Sequence, residues 1–315
     1  MSGSDRDETA DFDPAGFAPG ELMPVLSQAL SARIAFGLLS RLMAWRVRGS
    51  VRLTHSLARL ARGLQALPVA IDGATVFLDL RMTFCTDLVL GVRLEPFERA
   101  WMLKLVKPGD MALDVGAYFG LHTVLLAETV GVAGRVYAFE PSPIVLPCLA
   151  KTIDRLPNAT LFPFALGETL RVASFFVPPN ASLGSLADWT HSPPASKRKY
   201  DVTVDSLERL LAEGLVSIPD FLKCDVEGAE ALVFRGATSI LDRERAPLVL
   251  FELNPAATTA MGLEACAALS FLRSLRMPAY RFYAIDSESE LFPLEPSPSR
   301  LMNVLAVPLS RSGSL

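Results

Sequence analysis

At 315 residues the chain is long enough for one large or two modest domains with a buried core. Half of its residues are hydrophobic and its net charge is −4, which suits a parallel sheet covered on both faces and gives no case for a nucleic-acid partner. Three histidines are too few for a histidine-rich metal site. Cys85, Cys148, Cys224 and Cys266 form no C-x-x-C pair and read as buried thiols in a reducing, cytoplasmic setting, with Cys224 facing the core from a central strand.

Met1 to Glu21 is acidic and rich in small residues, the reverse of a signal peptide, and is expected to be a disordered tail. Leu22 to Ile71 holds no Asp or Glu but carries Arg33, Arg41, Arg46, Arg48, Arg52, Arg59 and Arg62. The arginines leave no apolar run near the roughly 18 residues of a membrane span, so this part reads as a basic helical arm. Two uses of it stay open: packing on the body or on a second copy in a homo-oligomer, and peripheral contact with a membrane or polyanion. Arg33 and Arg41 fall close to the row Leu26, Leu30, Ile34, Leu38 instead of opposite it, which favours the first.

The turn pair Asp72-Gly73 and the alternation from Thr75 to Leu80 predict a small hairpin connector over 72–94. Glu95 to Val106 reads as a helix, and the turn Lys107-Pro108-Gly109-Asp110 feeds a first core strand at Met111 to Val115. A helix near Leu121 to Thr129, a strand Arg135 to Phe139, a helix Ile144 to Arg155 and a strand Thr160 to Phe164 follow. Such alternation marks βαβ units and a parallel sheet. A strand near Val172 to Val177 leads into Pro178 to Lys199, rich in Pro and Ser, expected as a lid or a disordered insertion. The core resumes with a strand Phe221 to Cys224, a helix from Glu227 and a strand Leu248 to Phe251. Strands Arg281 to Ile285 and Met302 to Val307 close a body over 95–308, and 309–315 reads as a flexible tail.

The most informative stretch is Asp114-Val115-Gly116-Ala117-Tyr118-Phe119-Gly120. Here an apolar strand ends in an acidic residue and a glycine turn opens a helix, so the backbone can approach a ligand that the helix N–H groups face. Glu140 follows at the spacing of a carboxylate that binds ribose hydroxyls from the next strand end. The G-x-G pair of a dinucleotide site is missing, which argues against a nicotinamide cofactor.

Phe139-Glu140-Pro141, Lys223-Cys224-Asp225-Val226-Glu227-Gly228-Ala229-Glu230 and Phe251-Glu252 then occur in order. Together with the first motif they resemble the FkbM family of methyltransferases over roughly Glu95 to Val307, and the third motif is the most specific part. The resemblance implies a Rossmann-like, seven-stranded class I methyltransferase core and S-adenosylmethionine as cofactor. It also implies an acceptor hydroxyl on a sugar, glycoconjugate or polyketide-like small molecule. The family's usual Asn is Tyr118 here, a departure at the cofactor's amino-acid end.

Cofactor binding is accordingly expected of Asp114, Gly116, Ala117, Tyr118, Gly120 and Glu140. Asp225 and Glu252 follow two further strands and should emerge at the same edge, where they are left for the acceptor: one carboxylate to take the hydroxyl proton, the other to position it. His122, Glu227, Glu230 and Asn254 are candidate substrate contacts. Lys223 reads as a structural partner of a carboxylate. An alternative use of Asp225, Glu252 and Asn254 is a Mg²⁺ site, with metal-free base catalysis favoured. A second reading from another class is a non-catalytic binding protein of the same fold, held to a membrane or polyanion by the basic arm.

Overall fold

The computed structural model describes residues 65–71, 74–89, 94–277 and 279–314. The acidic tail, nearly all of the basic arm and the Asp72-Gly73 turn lie outside the described residues. Strands β1 (Leu67–Ile71) and β2 (Ala74–Leu78) pair as an antiparallel hairpin, so the last residues of the expected helical arm are extended. The alternating Leu67, Val69, Val76 and Leu78 are buried and share a core cluster with Phe119, Leu121 and Cys148. Helix α1 (Thr83–Val89) completes the connector, and α2 (Pro96–Leu105) opens the body.

The main sheet contains β3 (Met111–Val115), β4 (Arg135–Phe139), β5 (Ala159–Phe162), β9 (Phe221–Cys224), β10 (Leu248–Leu253), β11 (Tyr280–Ala284), β12 (Phe292–Pro293) and β13 (Met302–Pro308), in the order β12-β11-β13-β10-β9-β3-β4-β5. Strands β10, β9, β3, β4 and β5 run parallel, and β13 lies antiparallel between β10 and β11. Seven of these eight strands have four to seven residues. The eighth, β12, is a two-residue edge pair with Tyr283 and Ala284, too short to register in a hydrophobic pattern. From β3 the chain winds outward through β4 and β5, then returns to β9 and β10 on the other side. The order therefore reverses between β3 and β9, and the crevice outside the carboxyl ends of those strands is where such sheets bind ligands.

Helices α3 (Leu121–Val130), α4 (Leu146–Ile153), α5 (Leu207–Ala212), α6 (Glu230–Arg235), α7 (Thr238–Leu241), α8 (Pro255–Ala260) and α9 (Ala267–Ser274) connect the strands. The apolar runs of the parallel strands are buried on both faces: Leu113, Val115, Phe139, Leu222, Cys224, Val249 and Phe251 belong to one cluster. Ala112, Val136, Phe221, Leu248 and Leu250 belong to another. Of the cysteines, Cys85, Cys148 and Cys224 are buried, whereas Cys266 is only partly so and its Sγ lies 3.2 Å from Pro298 O. Among the described residues no helix is long and apolar enough to cross a membrane.

One element differs more from the sequence reading. Arg198–Asp205 is a strand, β8, paired antiparallel with β7 (Arg171–Val177) and parallel with β6 (Ala165–Leu166) in a separate three-stranded sheet. Lys197, Arg198 and Lys199 mask the inward alternation of Val202 and Val204. The residues between β7 and β8 are thus the connection of a hairpin. Ser185 pairs with Phe176 in an isolated antiparallel bridge, which folds that connection back along β7.

Candidate active site

The crevice at the β3/β9 switch point is a cleft of about 220 Å³. Its walls come from the turn after β3, the ends of β4, β9 and β10, the residue before α2, and the β7–β8 connection.

Gly116, in the left-handed region at φ +83, forms its near wall, and a Cβ there would lie 1.8 Å from the Asp225 carbonyl oxygen. Only glycine allows the β3 turn to sit this close to the end of β9. The Gly116 and Ala117 amides both donate to Phe139 O at 3.0 Å, tying the turn to β4. The Glu140 carboxylate accepts from Tyr118 N at 2.9 Å and from Ser142 N at 2.7 Å. It braces two turns at once and still lines the cleft, with one lone pair left on each oxygen.

Tyr118 has φ +51, a conformation that Asn adopts more readily than an aromatic residue, which gives the family's Asn a backbone reason. The Tyr118 ring is held edge-on between Phe84 and Phe119, at 4.9 and 4.6 Å between centroids. Among the described residues the non-glycine positions with positive φ are Ala66, Glu95, Tyr118 and Glu227. The last three line the cleft, and strain of this kind collects at functional sites.

Two expected cofactor residues do not face the cleft. Asp114 is fully buried: its Oδ2 accepts from Thr123 Oγ1 at 2.6 Å and its Oδ1 lies 3.8 Å from Lys223 Nζ, so it anchors α3 and Lys223. Gly120, at φ +86, is needed for packing instead, because a Cβ there would meet Leu149 Cδ1 at 2.9 Å.

Asp225, Glu227 and Glu252 form the far wall, with one carboxylate oxygen of each within 4.8 Å of the others. Glu252 stands inside β10, since that strand runs two residues past its expected end. Lys223 Nζ lies 3.3 Å from Asp225 Oδ2 and 3.5 Å from Gly116 O. Burial works against the lysine's charge, but Asp225, Asp114 and Glu95 outweigh it and raise its pKa.

Burial, followed by repulsion from Asp225, pushes Glu252 up to about 10 and Glu227 up to about 9. Burial likewise pushes Glu95, Glu140 and Glu230 up to about 7. His122 lines the cleft at 6% exposure, and burial, assisted by Lys223 and Arg99, keeps its imidazole neutral. Its Nε2 stands 3.2 Å from Glu95 Oε2 without hydrogen-bond geometry.

Two proposed substrate contacts are structural. Glu230 Oε1 accepts from Val226 N and Gly228 N, both at 3.1 Å, which fixes the turn carrying Asp225 and Glu227. Asn254 caps α8 through Ala257 N and donates to Glu227 Oε2 at 3.0 Å. Both ends of the Asn254 amide are thus engaged, and the carboxylate that stands beside those of Asp225 and Glu252 is Glu227. Sequence reasoning missed Glu95 as a site residue, because only the topology brings the residue before α2 beside β9. It also missed the wall of Ala181, Ser182, Gly184 and Leu186, which Ser185 Oγ secures by donating to Glu227 O at 2.7 Å.

The raised carboxyls fix the sign of a pH effect. Each binds its proton in the folded state above pH 4.5, where the unfolded chain has lost it, so its contribution is complete below about 4.5 and is lost as pH rises through about 7 to 10. The melting temperature of the free protein is expected to fall from about pH 5.5 to about pH 9.5. Glu252→Gln, which removes the largest of these shifts, should flatten that fall. A wild-type curve that is level or rises over this range would contradict it.

A model of the methyltransferase FkbM domain matches residues 114–298, more than half of the chain. The chain belongs to the FkbM methyltransferase family. Over 142 residues it is 30% identical to the hexuronic acid methyltransferase AglP of Haloferax volcanii, a match covering 44% of this chain and 55% of that protein. The chain thus spans about half the length of the curated relative it matches.

Among solved structures, a SAM-dependent O-methyltransferase from Thermotoga maritima is similar at 12% identity and a TM-score of 0.40, over 80% of each chain. An O-methyltransferase from Bacillus cereus in complex with SAH is similar at 12% identity and 0.42, over 69% of this chain and 83% of that one. Likenesses this loose say nothing about the site. The cofactor that comes with the FkbM methyltransferase family is S-adenosylmethionine, and the residues present fit it. Gly116 keeps the near wall free of side chain, and Glu140 offers buried acceptor oxygens at the second strand end.

Proposed function

We propose that this FkbM methyltransferase is an S-adenosylmethionine-dependent O-methyltransferase acting on a hydroxyl of a sugar, glycoconjugate or polyketide-like small molecule. The observation that carries the reading is one cleft that joins the Gly116–Glu140 turn to the carboxylates of Asp225 and Glu252. The sugar class is supported by the hexuronic acid methyltransferase among its relatives.

Bound S-adenosylmethionine supplies a methyl group activated by a sulfonium. Glu140 and the Gly116–Tyr118 backbone hold the nucleoside side of the cleft, and the β7–β8 connection covers it from water. Asp225 takes the proton of the acceptor hydroxyl, with Lys223 stabilising its carboxylate. Glu252, held in its acid form by burial, donates a hydrogen bond that orients the acceptor. Asp225, Glu227 and Glu252 also have the donor set for Mg²⁺, and chelation separates that scheme from metal-free base catalysis.

Calorimetry tests the cofactor half. S-adenosylhomocysteine should bind with no comparable binding of NAD. Glu140→Ala should weaken that binding by about 1–3 kcal/mol and destabilise the fold by a similar amount, because Tyr118 N and Ser142 N lose their acceptor. Unchanged affinity in this variant would remove Glu140 from the site.

A further inference from the structure

The polar groups at the far end of the cleft suit a hydrogen-bond donor and repel an anion. Three carboxylates, Asp225, Glu227 and Glu252, bring oxygens within 4.8 Å of one another. Glu95 closes the same end, lining both the main cleft and a small recess behind it together with Asp225 and Glu252. The lining cation among the described residues is Lys223. It is 5% exposed and already engaged by Asp225, Asp114 and the Gly116 carbonyl.

At this end two further polar atoms are buried without a hydrogen-bond partner. His122 is 94% buried, and its Nε2, in a ring kept neutral, has no hydrogen-bond partner. Glu252 Oε2 is buried without a partner as well. A carboxylate brought in here would face Asp225 with no free cation to receive it, at the cost of its own hydration. A hydroxyl group satisfies these acceptors in part. An ammonium meets more of them, since it carries three donors and a positive charge beside Asp225.

We propose that the far end of this cleft binds an ammonium group carried by the acceptor beside the hydroxyl to be methylated, as in an amino sugar, and discriminates against uronates. The inference rests on the O-methyltransferase reading and adds the charge class of its substrate.

The test uses the full chain saturated with S-adenosylhomocysteine and titrated in a calorimeter with three methyl glycosides differing in charge: glucosaminide, glucoside and glucuronide. Magnesium chloride alone is a fourth titrant. The glucosaminide is expected to bind at least about tenfold more tightly than the glucoside, with the glucuronide weakest. Glu227→Gln should narrow the gap between glucosaminide and glucoside.

Equal affinities for the three glycosides, or the glucuronide ahead, would overturn the proposal. So would saturable binding of Mg²⁺ alone combined with no charge preference among the glycosides, which would assign the carboxylates to a metal. Failure of S-adenosylhomocysteine to bind at the outset would instead strike the underlying methyltransferase reading.

Discussion

Gly116→Ala is expected to abolish S-adenosylhomocysteine binding and to destabilise the protein by roughly 3 kcal/mol or more. Two effects add at this position. Alanine is strained at φ +83, and its Cβ would lie 1.8 Å from the Asp225 carbonyl oxygen. That oxygen belongs to the backbone directly after the central strand β9, so relief requires β3 and β9 to separate where Asp225 N donates to Val115 O at 3.0 Å.

Gly109 provides the control. It has φ +90, but a Cβ there meets nothing within 4 Å, so Gly109→Ala should cost only the backbone term of about 1–2 kcal/mol and leave binding intact. Thermal melts and calorimetry on the two variants separate strain from close approach. Equal, mild effects of both would mean that the turn does not need to lie against β9.

Asp225→Asn is expected to keep the fold and cofactor binding and to lower turnover by roughly a hundredfold or more, the scale of a lost general base. The amide preserves the shape beside Lys223 but cannot take a proton. Lys223 keeps Asp114 as a counter-charge at 3.8 Å. Glu252 is a poor replacement base near neutral pH, because burial, the largest cause of its raised pKa, persists in the variant although the repulsion from Asp225 is gone. Its substitution by Gln should therefore disturb acceptor binding more than proton removal. Near-normal turnover in Asp225→Asn would reject it as the base. In the wild type, chelator should leave activity unchanged; activity lost to chelator and restored by Mg²⁺ would favour a metal scheme through Asp225, Glu227 and Glu252.

Much of the fold was legible because the parallel core is written in contiguous apolar runs. Arg135–Phe139 and Phe221–Cys224 end where the runs end, since a strand buried on both faces shows its length directly. Strand β8 was not legible, because it belongs to a half-exposed sheet and begins with Arg198 and Lys199 directly after Lys197. The site was readable at the level of motifs but not of roles.

Asp114 and Gly120 stand in the same motif as Gly116, and spacing alone cannot show that one anchors a lysine and the other packs on α4. Glu230 and Asn254 look like ligands in sequence, yet they are consumed by backbone amides and by Glu227. Glu95 carries no local signal at all. It becomes a site residue only when the turn before α2 folds against the end of β9.

The cleft at the β3/β9 switch point is proposed to hold the cofactor with its reactive end toward Asp225 and Glu252. A crystal structure of the protein with S-adenosylhomocysteine tests it most directly. The ribose hydroxyls should lie within hydrogen-bond distance of Glu140, and the sulfur should face Asp225 and Glu252. Nucleoside density outside this cleft, or a sulfur turned away from those two carboxylates, would contradict it.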